Sequence, residues 1–148
     1  MEFTVKTFHQ LANQELHDIF RLRVDIFVLE QNCPYSEIDG KDPECLHAFN
    51  QIDGEMASYA RIVPPGLSYE KEASIGRVVV HEKFRKDGLG VKLIAAAIQR
   101  VKEEWPNCNI KISAQAHLQH FYNLNGFKTV SEEYLEDDIP HVAMLLQR

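Results

Sequence analysis

The sequence predicts an α/β (α+β) fold, one mixed β-sheet covered by helices, in a single domain over residues 1–148. Three observations predict it. SIGRVVV, a helical stretch and NIKISA follow one another as a strand–helix–strand crossover, which sets two parallel strands side by side with a right-handed connection. Asp53-Gly54, a tight-turn pair, separates LHAFNQI from EMASYARIV and indicates an antiparallel hairpin. Leu89, Leu93, Ala97, Val101 and Trp105 recur every fourth residue, the spacing of one helix face.

The remaining elements fall into order around these. Phe3, Val5 and Thr7 alternate with Thr4 and Lys6, as in a short strand. Leu11, Leu16, Ile19, Phe20, Val24, Phe27 and Val28 are spaced at threes and fours, which predicts one helix, or two joined by a break, ending near Glu30. Asn32 to Glu44 carries Cys-Pro, Asp-Gly and Asp-Pro pairs and reads as a loop. Pro64-Pro65-Gly66 ends the hairpin, and Pro106 closes the long helix. A short helix is expected at about His117 to Asn123. Asn125-Gly126 then turns into a strand at FKTV, and HVAMLLQ is a final antiparallel strand.

Composition narrows the function. With 148 residues, 45% hydrophobic and 26% charged, the chain has ordinary globular composition. Its net charge of −6 disfavours nucleic acid, which requires a basic face. Cys33, Cys45 and Cys108 are an odd set without a CxxC pair, so a reducing compartment is expected and a disulfide framework is not. The N-terminal residues lack a basic start followed by an apolar run, and no apolar stretch approaches ~20 residues. No membrane association is expected, and the cytoplasm is the expected location. A homodimer is compatible with the sequence but not specified by it.

The sharpest chemical feature is the loop Arg85-Lys86-Asp87-Gly88-Leu89-Gly90, between the strand SIGRVVV and the long helix. The first amides of a helix lack internal partners, and the helix dipole is positive there. Glycines permit close approach of backbone to ligand. Arg85 and Lys86 add charge, so the loop suits a pyrophosphate. A dinucleotide fingerprint would need Gly or Ala at Leu93, and a P-loop would need Gly-Lys-Ser/Thr. On the loop alone, an ordinary glycine-containing connection is the alternative.

The loop resembles the Arg/Gln-x-x-Gly-x-Gly/Ala signature of the GNAT superfamily of acyl-CoA-dependent N-acyltransferases. FYNLNGF resembles that family's FYxxxGF segment, and the order of elements matches along the whole chain. IFVLEQNCPYSEIDGKD, AQAHLQHFY and YLEDDIPHVAM resemble the ElaA-like group, with Ile26 where that group has valine. The resemblance implies a mainly antiparallel mixed sheet with a central parallel pair splayed at the acyl-CoA site, and helices on both faces. It implies that acetyl-CoA is the co-substrate, with its pantetheine arm along the backbone of Val78, Val79 and Val80. The pyrophosphate would rest on amides from Arg85 to Gly90, that is Arg85, Lys86, Asp87, Gly88, Leu89 and Gly90. The thioester would sit near Ala114 and Gln115, with Tyr122 beside the sulfur.

Acetyl transfer to an amine needs a proton acceptor, an oxyanion donor and a proton for the departing thiolate. A strand amide near Val78 is the oxyanion candidate, and the Tyr122 phenol is the proton donor. Beside Phe121, Tyr122 also reads as a core aromatic on position alone. Glu37 and His47 lead the candidates for the base, drawn from an acidic loop that also holds Asp39, Asp42 and Glu44. That loop is expected to steer a cationic acceptor, because Lys41 is its only opposing charge. His141, after Glu136-Asp137-Asp138, is a further candidate for the acceptor pocket. His117 and His120 have helical spacing but no matching carboxylate or cysteine, so no metal is expected. The acceptor is a small-molecule or peptide amine of unspecified identity. A non-catalytic acyl-CoA-binding sensor or interaction module is the alternative function, and an unrelated phosphate or nucleotide binder is a third.

Overall fold

The computed structural model describes residues 2–148. Strand β1 (Thr4–Thr7) leads through a capped 3₁₀ turn into α1 (Asn13–Arg23). Glu15 closes the start of α1 by accepting from the Ala12 amide at 2.8 Å, and it also holds Lys6 at 3.0 Å. The helix continues without interruption into a π-helical segment, Val24–Glu30. The expected break near this point is a change of winding, and π turns inside helices are frequent at functional sites. Spacing at threes and fours does not reveal it.

Strands β2 (Leu46–Ile52) and β3 (Glu55–Val63) form the expected hairpin. Asp53 (φ 51°) and Gly54 (φ 79°) are both left-handed, as a type I′ turn requires. Strand β4 (Ser74–Val80) completes an antiparallel sheet ordered β1-β2-β3-β4. Helix α2 (Leu89–Glu104) crosses to β5 (Ile110–Gln115), which begins a second sheet. There α3 (Gln119–Asn123), β6 (Lys128–Thr129), β7 (Tyr134–Glu136) and β8 (Ile139–Leu146) follow, and β8 pairs with β5, β6 and β7. The strand expected at FKTV contracts to two residues. Strand β7 was not anticipated, because its turn is made by Asp137 and Asp138 with positive φ rather than by a glycine-containing pair.

The expected parallel neighbours meet at one point only. Ala73, just before β4, bridges to Ile110: its amide donates to the Asn109 carbonyl at 3.0 Å and its carbonyl accepts from Lys111 at 2.9 Å. Beyond that bridge β4 and β5 separate, and the sheet divides into two halves. The cause lies in β4. Tyr59 pairs with Val79, yet Arg61 pairs with Gly76, so one residue of β3 faces two of β4. Within this bulge Arg77 has φ 50°, a left-handed conformation that is costly for a residue with a Cβ. Bulges bend the strand that carries them.

Helices cover both faces. On one, Leu93, Ile94, Ala97 and Val101 of α2 pack with Ile62, Ile110, Ile112 and Met144, all of them buried. On the other, Ile19 and Leu22 of α1 pack with Phe49, Met56, Tyr59 and Val79. Each fully buried aliphatic side chain contributes about 1.5–3 kcal/mol.

The loop between the π segment and β2 is held by charge. Arg23, fully buried, donates from Nε to Glu37 Oε2 and from Nη1 to Asp42 Oδ1, both at 2.8 Å, and from Nη2 to the Glu37 carbonyl at 3.1 Å. Arg61 grips Asp39 with two bonds of 2.8 Å and reaches Asp42 at 3.2 Å. Arg77 donates from Nε to Glu37 at 2.7 Å. Three arginines thus balance three carboxylates. Removing one member leaves buried carboxylates unmatched, so Arg23→Met is expected to cost about 3–5 kcal/mol. Urea unfolding checks this, and a loss below about 1 kcal/mol, the range of a surface pair, would contradict it.

Candidate active site

The divergence of β4 and β5 opens a cleft of about 440 Å³. One wall is β4 from Ile75 to Val80, continuing to Arg85 and Gly90. The other is formed by Ser113 and Gln115 of β5, Tyr122 of α3 and His141 of β8. The π segment lies over the cleft through Ile26, Phe27 and Val28. The loop after it spans the gap: Gln115 Nε2 donates to Gln31 Oε1 at 3.2 Å, and the Tyr35 hydroxyl donates to Asp138.

Val78, Val79 and Val80 all line the cleft, and past the Ala73 bridge the β5-facing edge of their strand is outside any ladder. Val79 turns its side chain into the core, so there the cleft meets main chain. Arg85 lines the cleft with its side chain already engaged. It donates to both oxygens of Glu30 at 2.7 and 2.9 Å and to the Val80 carbonyl at 2.9 Å. Lys86 and Asp87 are exposed, Gly88 has φ 67°, and the Leu89 side chain is buried. Gly90 has a further reason to be glycine, since a Cβ there would lie 3.1 Å from the Phe121 ring. The loop glycine therefore seats α2 against the residue beside Tyr122.

Ala114 faces the core, while Gln115 faces the cleft, as alternation along β5 requires. Tyr122 packs edge-on between Phe121 and Phe127, with centroids at 5.0 and 5.9 Å. Burial pushes its phenol up to about 12, so it is protonated at neutral pH.

The two candidate bases fare differently from expectation. His47 is fully buried behind the sheet, bonded to the Tyr59 hydroxyl at 2.7 Å and the Asp42 carbonyl at 3.0 Å, and it does not line the cleft. Burial lowers its pKa, and its role is to hold the loop from behind. Glu37 does reach the cleft, but Arg23 and Arg77 both donate to its Oε2. Two guanidinium groups hold that one oxygen in place, so Glu37 anchors the loop. The acidic loop as a whole is likewise neutralised from within. Partial burial works to raise the Asp39 pKa, but the Arg61 guanidinium and the Lys41 amide outweigh it and hold that carboxyl well below the usual range. The expected steering cation is thus supplied by arginines of the protein itself.

Sequence reading missed those arginines. Arg77 within the apolar run SIGRVVV, Arg61 within EMASYARIV and Arg23 four residues after Ile19 were the available signals. Each is a charge on a face that is otherwise core.

Comparison with known proteins agrees with this architecture. The profile of the acetyltransferase (GNAT) domain matches residues 21–148. A UPF0039 protein of Schizosaccharomyces pombe is 40% identical, covering 99% of this chain and 97% of its own. The crystal structure of an acyl-CoA N-acyltransferase from Pseudomonas aeruginosa superposes with a TM-score of 0.91 at 40% identity, over 98% of this chain and 99% of that one. The crystal structure of Escherichia coli ElaA superposes at 0.92 with 35% identity, over 99% of both chains. With the cleft, the glycine loop and these similarities in agreement, the chain belongs to the GNAT acetyltransferase family, in its ElaA-like group.

Proposed function

We propose that this protein transfers an acetyl group from acetyl-CoA to an amine by direct attack, without a covalent enzyme intermediate. The observation that carries this reading is the free edge of β4, which runs into the glycine loop with Tyr122 on the facing wall of the same cleft. A pantetheine arm has amides like those of a strand, and the vacant edge suits it as an added strand. The amides of Arg85 to Gly90, at the start of α2, would receive the pyrophosphate. The amide of Val78, beside the bulge, is the donor for the oxyanion.

The amine nitrogen attacks the thioester carbonyl, the N–C bond forms, and the C–S bond then breaks. Tyr122 gives its proton to the departing thiolate and regains one from the nitrogen. A phenol held protonated by burial is suited to that step. Tyr122→Phe keeps the ring packed against Phe121 and Phe127 and removes only this proton. We expect kcat to fall roughly 10²-fold with acetyl-CoA affinity unchanged. An unchanged kcat, in single-turnover kinetics where chemistry is observed directly, would reduce Tyr122 to packing.

Arg85 exchanges Glu30 for phosphate when acetyl-CoA binds, because its Nη1 and Nη2 both donate to the Glu30 carboxylate and its Nε to the Val80 carbonyl. The pair is exposed, so the exchange involves energies of about 0.2–1 kcal/mol. Glu30→Gln should therefore tighten acetyl-CoA by roughly 2–5-fold, and Arg85→Ala should weaken it by at least as much. Calorimetry checks both, and weaker binding by Glu30→Gln would contradict the exchange.

A further inference from the structure

One wall of the cleft holds a polar cluster beside the position expected for the thioester. It lies where β7, β8 and β5 run side by side, with Tyr134, His141 and Gln115 in one cross-strand row. The His141 imidazole is nearly buried, and its Nδ1 lies 2.6 Å from the Ile139 carbonyl. A carbonyl only accepts, so Nδ1 carries the hydrogen. In the neutral ring Nε2 is then a bare lone pair. It points towards Glu136 Oε2 at 3.5 Å, beyond the ~2.7–3.2 Å of an N–H···O bond.

Glu136 is itself positioned. Its Oε1 accepts from the Ser113 hydroxyl at 3.0 Å, and Ser113 accepts from the Tyr134 hydroxyl at 2.6 Å. Because a carboxylate accepts only, the chain of donors runs in one direction, from Tyr134 through Ser113 to Glu136. The Tyr134 ring stacks on His141 at 22°. The cluster thus sets a fixed carboxylate and a fixed imidazole lone pair towards each other, with no hydrogen between them. A hydrogen-bearing cation is the group that suits both.

We propose that His141 is the proton acceptor for the amine substrate, with Glu136 binding the ammonium and then stabilising the imidazolium. This rests on the acetyltransferase reading and names the base that reading requires. The acceptor enters as R–NH₃⁺ with one N–H directed to Nε2 and another to Glu136. Nε2 takes one proton, giving imidazolium and free R–NH₂, whose lone pair attacks the thioester carbon. A second nitrogen proton replaces the one Tyr122 gives to sulfur. The products are the N-acetyl amine, CoA thiol and a protonated His141, which returns its proton to solvent. Titratable and charged groups at this end of the cleft are Tyr134, Glu136, Asp137 and Asp138 on the β7–β8 hairpin, Cys33, Tyr35 and Glu37 on the spanning loop, Tyr69 and Arg77 before and on β4, and His117 and Tyr122 after β5.

The test compares wild type with His141→Gln and Glu136→Gln, reading CoA thiol release from acetyl-CoA. The acceptors are the fastest ammonium member of a panel of alkylamines, diamines and dipeptides, and methoxyamine, which is already neutral at pH 7. For the ammonium acceptor, His141→Gln should lower kcat/KM by roughly 10²–10³. It should also remove the acid limb of the pH profile, since protonated His141 cannot accept. For methoxyamine the loss should be under about tenfold, because no ammonium has to be deprotonated. Glu136→Gln should raise the KM of the ammonium acceptor and leave acetyl-CoA affinity unchanged. Equal losses for the two acceptors, or an acid limb that persists in His141→Gln, would overturn the assignment while the enzyme remains an acetyltransferase. A wild-type protein that binds acetyl-CoA but releases no thiol with any acceptor would overturn the acetyltransferase reading itself. Independently of turnover, long-range ¹H–¹⁵N spectra of the wild-type protein read the tautomer. Neutral His141 protonated at Nε2 rather than Nδ1 would overturn the proposal whatever the activity.

Discussion

Arg23 has no exposure to solvent, yet it holds two carboxylates of a loop that has little apolar surface with which to fold. Residues 31 to 41 are mostly exposed and contain Pro, Gly and Asp, a composition that does not define one conformation by burial. What defines it is the charge-balanced set Arg23, Arg61, Arg77, Glu37, Asp39 and Asp42. Its members come from α1, from β3, from β4 and from the loop itself, so the set ties the loop to both layers of the N-terminal half. Such a set is a matter of placement more than of net stabilisation, because desolvation of the charges offsets much of their attraction.

The same set bears on the cleft. Arg77 occupies the bulge of β4 in a left-handed conformation, and its guanidinium is directed to Glu37. A straight strand would alternate Arg77 and Val78 across the sheet and continue the pairing with β5 beyond Ala73. The bulge re-aims β4 instead, and the unpaired edge lines the cleft. The backbone strain at Arg77 is therefore stored where the strand has to leave its neighbour, a common location for strain at functional sites. Below the cleft the α2 face and Phe121 fix the glycine loop, since Gly90 is the contact that lets them meet. Cleft, loop and Tyr122 thus share one packing arrangement.

Much of this was legible in the sequence. The period of four in α2, the Asp53-Gly54 turn and the crossover from SIGRVVV to NIKISA report local rules, and local rules survive into the structure. The glycine loop and Tyr122 were legible as motifs, and Arg85, Gly90 and Tyr122 line one cleft. What was not legible depends on partners distant in sequence. The carboxylates of Glu37 and Asp39 looked free because their arginines lie fourteen to forty residues away. His47 looked available beside an acidic loop, but alternation along β2 turns it inward to Tyr59. The bulge at Arg77 is a matter of register, which a single strand does not disclose. His141 was legible as a candidate for the acceptor pocket, but its approach to Glu136 depends on the pairing of β7 with β8.

An acidic protein with a cleft of this shape brings together two surfaces of different character. The β4 side, with Arg85 and free amides, suits an anionic cofactor arm, and the β7–β8 side, with Glu136 and His141, suits a cation. The proposed acetyl transfer to an amine uses both at once. The most direct measurement is therefore release of CoA thiol from acetyl-CoA by the full-length protein, with and without amine acceptors. Release that saturates with amine, accompanied by an equal amount of N-acetylated product, is the result this account predicts. Tight acetyl-CoA binding with no amine-dependent thiol across the acceptor panel would contradict it and leave a binding module in its place.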